Sequence, residues 1–201
     1  MKLLYKPFFI FSILLLVAFP ALFWSCNSKE EKPAMTKEQM IERGRYLTTI
    51  ASCQDCHSPK IMTAEGPVVD ETRAFSGAPA NSKLADIDTT EITPGKWYLG
   101  SSDLTTWVGP WGVSFAANLT PDKETGSGAW TEELFMKMLR TGKFMGADAG
   151  RPIMPPMPWE FINKMTDEDL KSVFAYLQSL PPVSNSVPAY IPPNELTALK
   201  K

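Results

Sequence analysis

Cys53-Gln54-Asp55-Cys56-His57 is a C-x-x-C-H run. Such a run offers two thiols spaced to bond the two vinyl groups of one haem, and it delivers the following histidine to the iron as an axial ligand. The sequence has one histidine and three cysteines, and the histidine and two of the cysteines fall here. That concentration points to c-type haem attachment, with Cys53 and Cys56 binding the porphyrin covalently and His57 binding the iron. Two other uses of the pair fit less well. A thiol–disulfide oxidoreductase needs a strand before its C-x-x-C and a β-α-β frame, and a zinc site would lack its fourth ligand.

Immediately upstream the pattern is helical. Thr36 and Gln39 have capping-box spacing, and Met40, Gly44, Leu47 and Ile50 recur at helical intervals. Gly44 is expected to let this helix pack closely on the last one, near Phe174 or Tyr176. At the N-terminus, Lys2 and Lys6 precede an apolar run over residues 8–24, followed by a polar stretch, which is the layout of an export signal. The run is short against the roughly 20 residues of a membrane-spanning helix. Cys26 stands where a lipoprotein signal places its lipidated cysteine, with the small Ser25 before it. Residues 1–25 are therefore expected to be a lipoprotein-type signal peptide or a signal anchor, and 26–35 a tether. Either device holds the folded part on the periplasmic side of a bacterial membrane. Formal charge is −2, and the terminal Lys200-Lys201 pair is the longest basic run, so no nucleic-acid partner is expected.

Downstream, residues 58–119 are rich in Gly, Pro, Ser and Thr and hold no apolar period. A long irregular insertion is expected, held down by Phe75, Trp97, Tyr98, Trp107, Trp111 and Phe115. Thr131 then caps a helix with Leu134, Phe135, Met138 and Leu139 on its apolar face, stopping near Thr141-Gly142. A loop rich in proline and methionine runs from Gly150 to Trp159. Thr166 caps the last helix, whose buried stripe is Leu170, Val173, Phe174, Leu177 and Leu180, and Pro181-Pro182 end it. The fold class expected is all-α: a helical domain over 36–183 around one haem, with the insertion between haem motif and middle helix. Residues 184–201 are expected to be an extended tail.

With one histidine, ligation by two imidazoles of this chain is excluded. A methionine, a lysine or an open site remains for the sixth iron position. Met154 and Met157 lie in the stiff proline loop, and prolines on both sides of Met157 restrict its backbone. Met136, Met138 and Met165 suit the core. The neutral ring N–H of His57 should donate to a backbone carbonyl, for which Pro59 and Pro67 are candidates. Arg151 and the indoles of Trp111, Trp130 and Trp159 are candidates to bond the haem propionates.

The order helix, C-x-x-C-H, helix, methionine loop, helix resembles class I-type monohaem cytochrome c. Three stretches are similar to the cytochrome c subunits that serve bacterial periplasmic dehydrogenases: Trp111–Asp122 (WGVSFAANLTPD), Trp130–Phe135 (WTEELF), and Pro155–Trp159 (PPMPW) followed by Met165–Leu170 (MTDEDL). The resemblance implies a cytochrome c-like fold around one covalent haem c, with Met157 as the sixth ligand and Met154 as runner-up. It implies a membrane-tethered electron carrier rather than an enzyme, with a periplasmic dehydrogenase or a terminal oxidase as redox partner. Those subunits often carry several haems, whereas this chain has one C-x-x-C-H, and residues 62–100 match them loosely. The competing class is a haem-based gas sensor or haem enzyme with an open or labile sixth position.

Overall fold

The computed structural model describes residues 33–84 and 86–199. The expected signal or anchor over 1–25, the lipidation candidate Cys26 and most of the 26–35 tether lie outside the described residues. From Met35 onward the chain clusters as a single unit.

Helix α1 (Lys37–Ile50) starts where the capping box predicts. The Thr36 hydroxyl accepts from the Gln39 amide, and the Gln39 side chain accepts from the Thr36 N–H. Both bonds satisfy donors that a helix start leaves orphaned. Gly44, Leu47 and Thr48 are buried, whereas Ile50, expected on the same face, is 59% exposed. The helix ends there: Ala51 closes it and Ser52 turns the chain through a left-handed conformation (φ 52°). A five-residue helix, α2 (Cys53–His57), follows directly.

Two further helices obey the sequence signals. Helix α3 (Glu132–Thr141) is capped by Thr131, which accepts from Leu134 N–H, and stops at Gly142 in the left-handed region (φ 64°). A short helix α4 (Trp159–Ile162) leaves the methionine loop. Helix α5 (Asp167–Ser179) is capped by Thr166 accepting from Asp169 N–H, and three acidic residues oppose its dipole. Helices α1, α3 and α5 share one core: Leu47, Phe75, Phe135, Leu139, Leu170, Val173 and Leu177. Leu170 is fully buried, which is worth about 1.5–3 kcal/mol for a side chain of that size. Arg43 of α1 pairs with Asp169 of α5 at 2.9 Å, at the edge of the same contact.

The all-α expectation is corrected by the insertion. The described residues hold five α-helices and two antiparallel sheets, of two and three strands, so the fold is mixed. Strands β1 (Lys60–Thr63) and β2 (Gly66–Val69) form one hairpin. Strands β3 (Leu99–Gly100), β4 (Thr106–Gly109) and β5 (Gly112–Phe115) form the other sheet, with Pro110-Trp111 as the β4–β5 turn. The physical reason is bond accounting. Val108, Val113, Thr105 and Thr106 are buried, so their backbone groups need partners, and a ladder supplies them. The aromatics do not all act as anchors either: Phe75 is buried, but Trp97 is 70% exposed.

The segment after α5 runs extended and then closes as a 3-10 helix at Pro193–Leu199. It is docked along its length. Ile191 bridges Val113 of β5, and Leu196 joins Ile92, Val108 and Val113 in a second small core. Asn185 donates from its side-chain amide to the Ser76 and Ala78 carbonyls and accepts from Ala80 N–H.

A Cβ built on Gly44 would stand 1.9 Å from the Ser172 carbonyl oxygen and 2.7 Å from Tyr176 Cβ. On an exposed helix, Gly→Ala stabilises by up to about 1 kcal/mol. Here Gly44→Ala should instead cost about 2 kcal/mol or more through forced separation of α1 and α5, as checked by denaturant unfolding.

Candidate haem site

The left-handed turn at Ser52 starts α2 so that Cys53 and Cys56 stand three residues apart, one above the other on one helix face. Both are free thiols and partly buried, and Cys53 packs against the helical core. Burial pushes the Cys53 thiol up to about 11, with the nearby Cys56 adding to the rise and its own backbone N–H opposing it. Burial, and then the neighbouring Asp55 carboxylate, raise Cys56 as well. Disulfide-exchange thiols are held low by positive surroundings. Here the bias is reversed, and a helix rather than a strand precedes the motif. The arrangement suits two thiols turned towards an apolar group.

His57 is oriented from far along the chain. Its Nδ1 lies 2.8 Å from the carbonyl oxygen of Ala117, 60 residues downstream. A carbonyl only accepts, so Nδ1 carries the proton and Nε2 keeps its lone pair free. Burial lowers the pKa of His57, and the Ala117 carbonyl pulls the other way. The expected acceptors, Pro59 and Pro67, are not used: the Pro59 carbonyl takes Asp70 N–H at 2.9 Å, and Pro67 sits in β2 paired with Met62. Sequence reasoning missed Ala117 because nothing in Phe-Ala-Ala-Asn marks one carbonyl over another.

The Ala117 carbonyl is itself held by the two ends of the insertion. Gly77 N–H donates to the His57 carbonyl at 2.8 Å, Ala78 N–H to Ala116, and Leu119 N–H to Phe75. Gly77 adopts φ +79°, and a Cβ there would meet Ala116 O at 2.5 Å and Ala117 O at 2.7 Å. Both the conformation and the space demand glycine. Ser58, fully buried, accepts from Phe75 N–H and ties the same region to the residue after His57. Gly77 is the second functional residue missed from sequence. The Ser-Gly-Ala-Pro composition around it signals a turn but not what the turn touches.

On the methionine side, the loop is fixed at its entry by Ile153 N–H on the Gly142 carbonyl and by the Lys143–Pro152 bridge. Its exit is held by Arg140, which donates to the carbonyls of Asn163 and Met165 and pairs with Asp167. The Pro155–Pro156 bond is cis. Met154 and Met157 are both partly buried, but only Met157 packs against the cluster that also holds Cys53. Of the candidate propionate partners, Trp111 gives its indole N–H to Ser114 Oγ, and the Arg151 guanidinium stacks 4.3 Å from the Phe144 ring centre. Trp130 packs on the helical core, and Trp159 covers Gly142.

The residues present fit a covalently bound haem. Leu119, Trp130, Ile153, Met157 and Phe174 line the core yet remain partly uncovered, leaving apolar surface for a flat macrocycle. Two thiols and an imidazole with a free Nε2 stand beside it.

A family model described as cytochrome c matches residues 41–181. The chain is similar to the fructose dehydrogenase cytochrome subunit of Gluconobacter japonicus, with 30% identity over 150 residues, covering 75% of this chain and 23% of that protein. It is similar to the gluconate 2-dehydrogenase cytochrome c subunit of Pantoea cypripedii, with 27% identity over 74% of this chain and 25% of that protein. The cytochrome c subunit of the quinone-type alcohol dehydrogenase of Gluconobacter oxydans is 27% identical over 69% of this chain and 21% of its own length. The chain thus spans a quarter or less of each of these relatives.

Gly77→Ala should drive the Ala117 carbonyl away from His57. Solvent exchange of the His57 ring N–H, followed by NMR in the reduced protein, is expected to quicken by about tenfold, the equivalent of about 1.4 kcal/mol.

Proposed function

Because the chain belongs to the cytochrome c family, we propose that it is a monohaem electron carrier of the bacterial cell envelope, passing single electrons between extracytoplasmic redox partners. In this reading Cys53 and Cys56 hold one haem c through thioether bonds, and His57 Nε2 and the Met157 sulfur take the two axial iron positions, with Met154 as the runner-up. The observation that carries it is the His57–Ala117 hydrogen bond of 2.8 Å. That bond fixes the tautomer a metal ligand requires.

Haem c bound there supplies a one-electron Fe(III)/Fe(II) couple. The chain's residues supply orientation and seclusion. Ala117 holds the His57 proton, so electron transfer needs no proton movement at that ring. A thioether favours Fe(II) relative to a second nitrogen ligand and raises the potential. Leu119, Trp130, Ile153 and Phe174 keep water from the apolar face. Were His57 and Met157 both to bind the iron, no site would remain there for a substrate, which is why the role proposed is transfer rather than catalysis.

The relatives named as dehydrogenase cytochrome subunits support a dehydrogenase as electron donor, and the acceptor proposed is a terminal oxidase. The acidic balance of the chain favours a basic docking face, which chiefly raises encounter rate. Among the described residues no helix is long and apolar enough to cross a membrane. The tether proposed is the leader, through a lipid on Cys26 or an anchor over 1–25, as the sequence pattern there suggests.

The test is the weak far-red charge-transfer band that a thioether gives ferric haem. Wild type should show it, Met157→Ala should lose it, and Met154→Ala should keep it. Loss of the band in wild type, with carbon monoxide binding to the reduced protein, would mean an open iron site and a sensor or enzyme instead.

A further inference from the structure

The methionine loop is poor in hydrogen-bond donors by composition. Proline carries no N–H, so within 155–158 only Met157 has one, and it goes to the Met154 carbonyl at 3.3 Å. The loop displays more carbonyls than its own N–H groups can satisfy. The adjoining helix α4 takes up the Met157 and Pro158 carbonyls through the N–H groups of Trp159, Phe161 and Ile162. Among the described residues, one hydrogen bond reaches the backbone of 154–158 from a part of the chain distant in sequence. Ser114 Oγ, on β5, donates to the Pro155 carbonyl at 2.6 Å.

We infer that Ser114 is a positioning residue for the Met157 ligand, and that residues 111–118 form one strap supporting both axial positions. This rests on Met157 being the ligand. Direction is fixed by chemistry. The Trp111 indole only donates, and it lies 3.3 Å from Ser114 Oγ. A carbonyl only accepts, so the Ser114 hydroxyl must take the bond from Trp111 and give its own proton to Pro155. Aligned bonds of this kind polarise and strengthen one another. The site is built rather than incidental, because Ser114 is 8% exposed. Trp111 is held in turn, with Tyr98 5.8 Å from its ring and Tyr190 donating to its carbonyl at 2.5 Å.

Three residues beyond Ser114 the same segment presents the Ala117 carbonyl to His57. Three extended residues span about 10 Å, so one stretch of backbone serves the methionine loop at one end and the histidine at the other.

The experiment uses the full haem-loaded chain and reads the affinity of the ferric protein for imidazole, which competes with a weakly held thioether. Ser114→Ala should bind imidazole about tenfold more tightly, equivalent to about 1.4 kcal/mol, and Ser114→Thr should behave as wild type. The His57 ring N–H resonance of the reduced Ser114→Ala protein should stay in place, which locates the change on the methionine face. If Ser114→Ala does not fold, Trp111→Phe keeps an aromatic ring, removes the N–H, and should move affinity roughly threefold in the same direction. Unchanged affinity in these variants, with the far-red band lost in Met157→Ala, overturns the positioning role and leaves the ligand reading intact. A His57 resonance that moves in step marks general loosening and also overturns it. A band that survives Met157→Ala removes the ligand reading and this inference with it.

Discussion

The candidate site is organised by one hydrogen bond, from His57 Nδ1 to the carbonyl of Ala117. The chain has a single imidazole, so no other residue can replace it as a nitrogen donor of that kind. A histidine can offer one lone pair outward only if its other nitrogen holds the proton. The insertion explains itself from this requirement. Its beginning and end meet beside His57 through the 75–78 and 116–119 pairings, its middle folds into short ladders, and Gly77 leaves the space that the carbonyl needs.

Where a few neighbouring residues determine structure, the sequence was readable. Thr36, Thr131 and Thr166 each cap the helix they were expected to cap, because capping is a bond between residues three apart. Gly44 was readable too, since an interior helix glycine costs stability unless something passes close by, and Ser172 does. The C-x-x-C-H motif is as local as a signal can be.

What was not readable was decided by partners distant in sequence. Strands β4 and β5 are four residues each, too short for alternation to show, although Thr-Trp-Val-Gly and Gly-Val-Ser-Phe around a two-residue turn carry β-branched and aromatic residues. Ile50 fits the helical period but lies where the chain turns away into α2, so it stays in water. The sequence offers Pro59 and Pro67, within ten residues, as acceptors for His57, whereas the carbonyl it uses is 60 residues away. The segment past α5, expected to be extended throughout, is extended only up to its 3-10 helix at Pro193–Leu199. Its sites on β5 and on the 76–80 loop are ones that no local pattern announces.

That last docking has a consequence for assembly in time. Asn185 grips Ser76 across 109 positions, and the contacts that close the structure are of similarly long range. Topologies dominated by distant pairings fold slowly, because chain entropy is lost before the contacts that repay it can form. A chain emerging N-terminus first exposes Cys53, Cys56 and His57 while Ala117 is still to come and Asn185 later still. The two thiols are thus available before the residues that orient His57 and brace the 76–80 loop are in place.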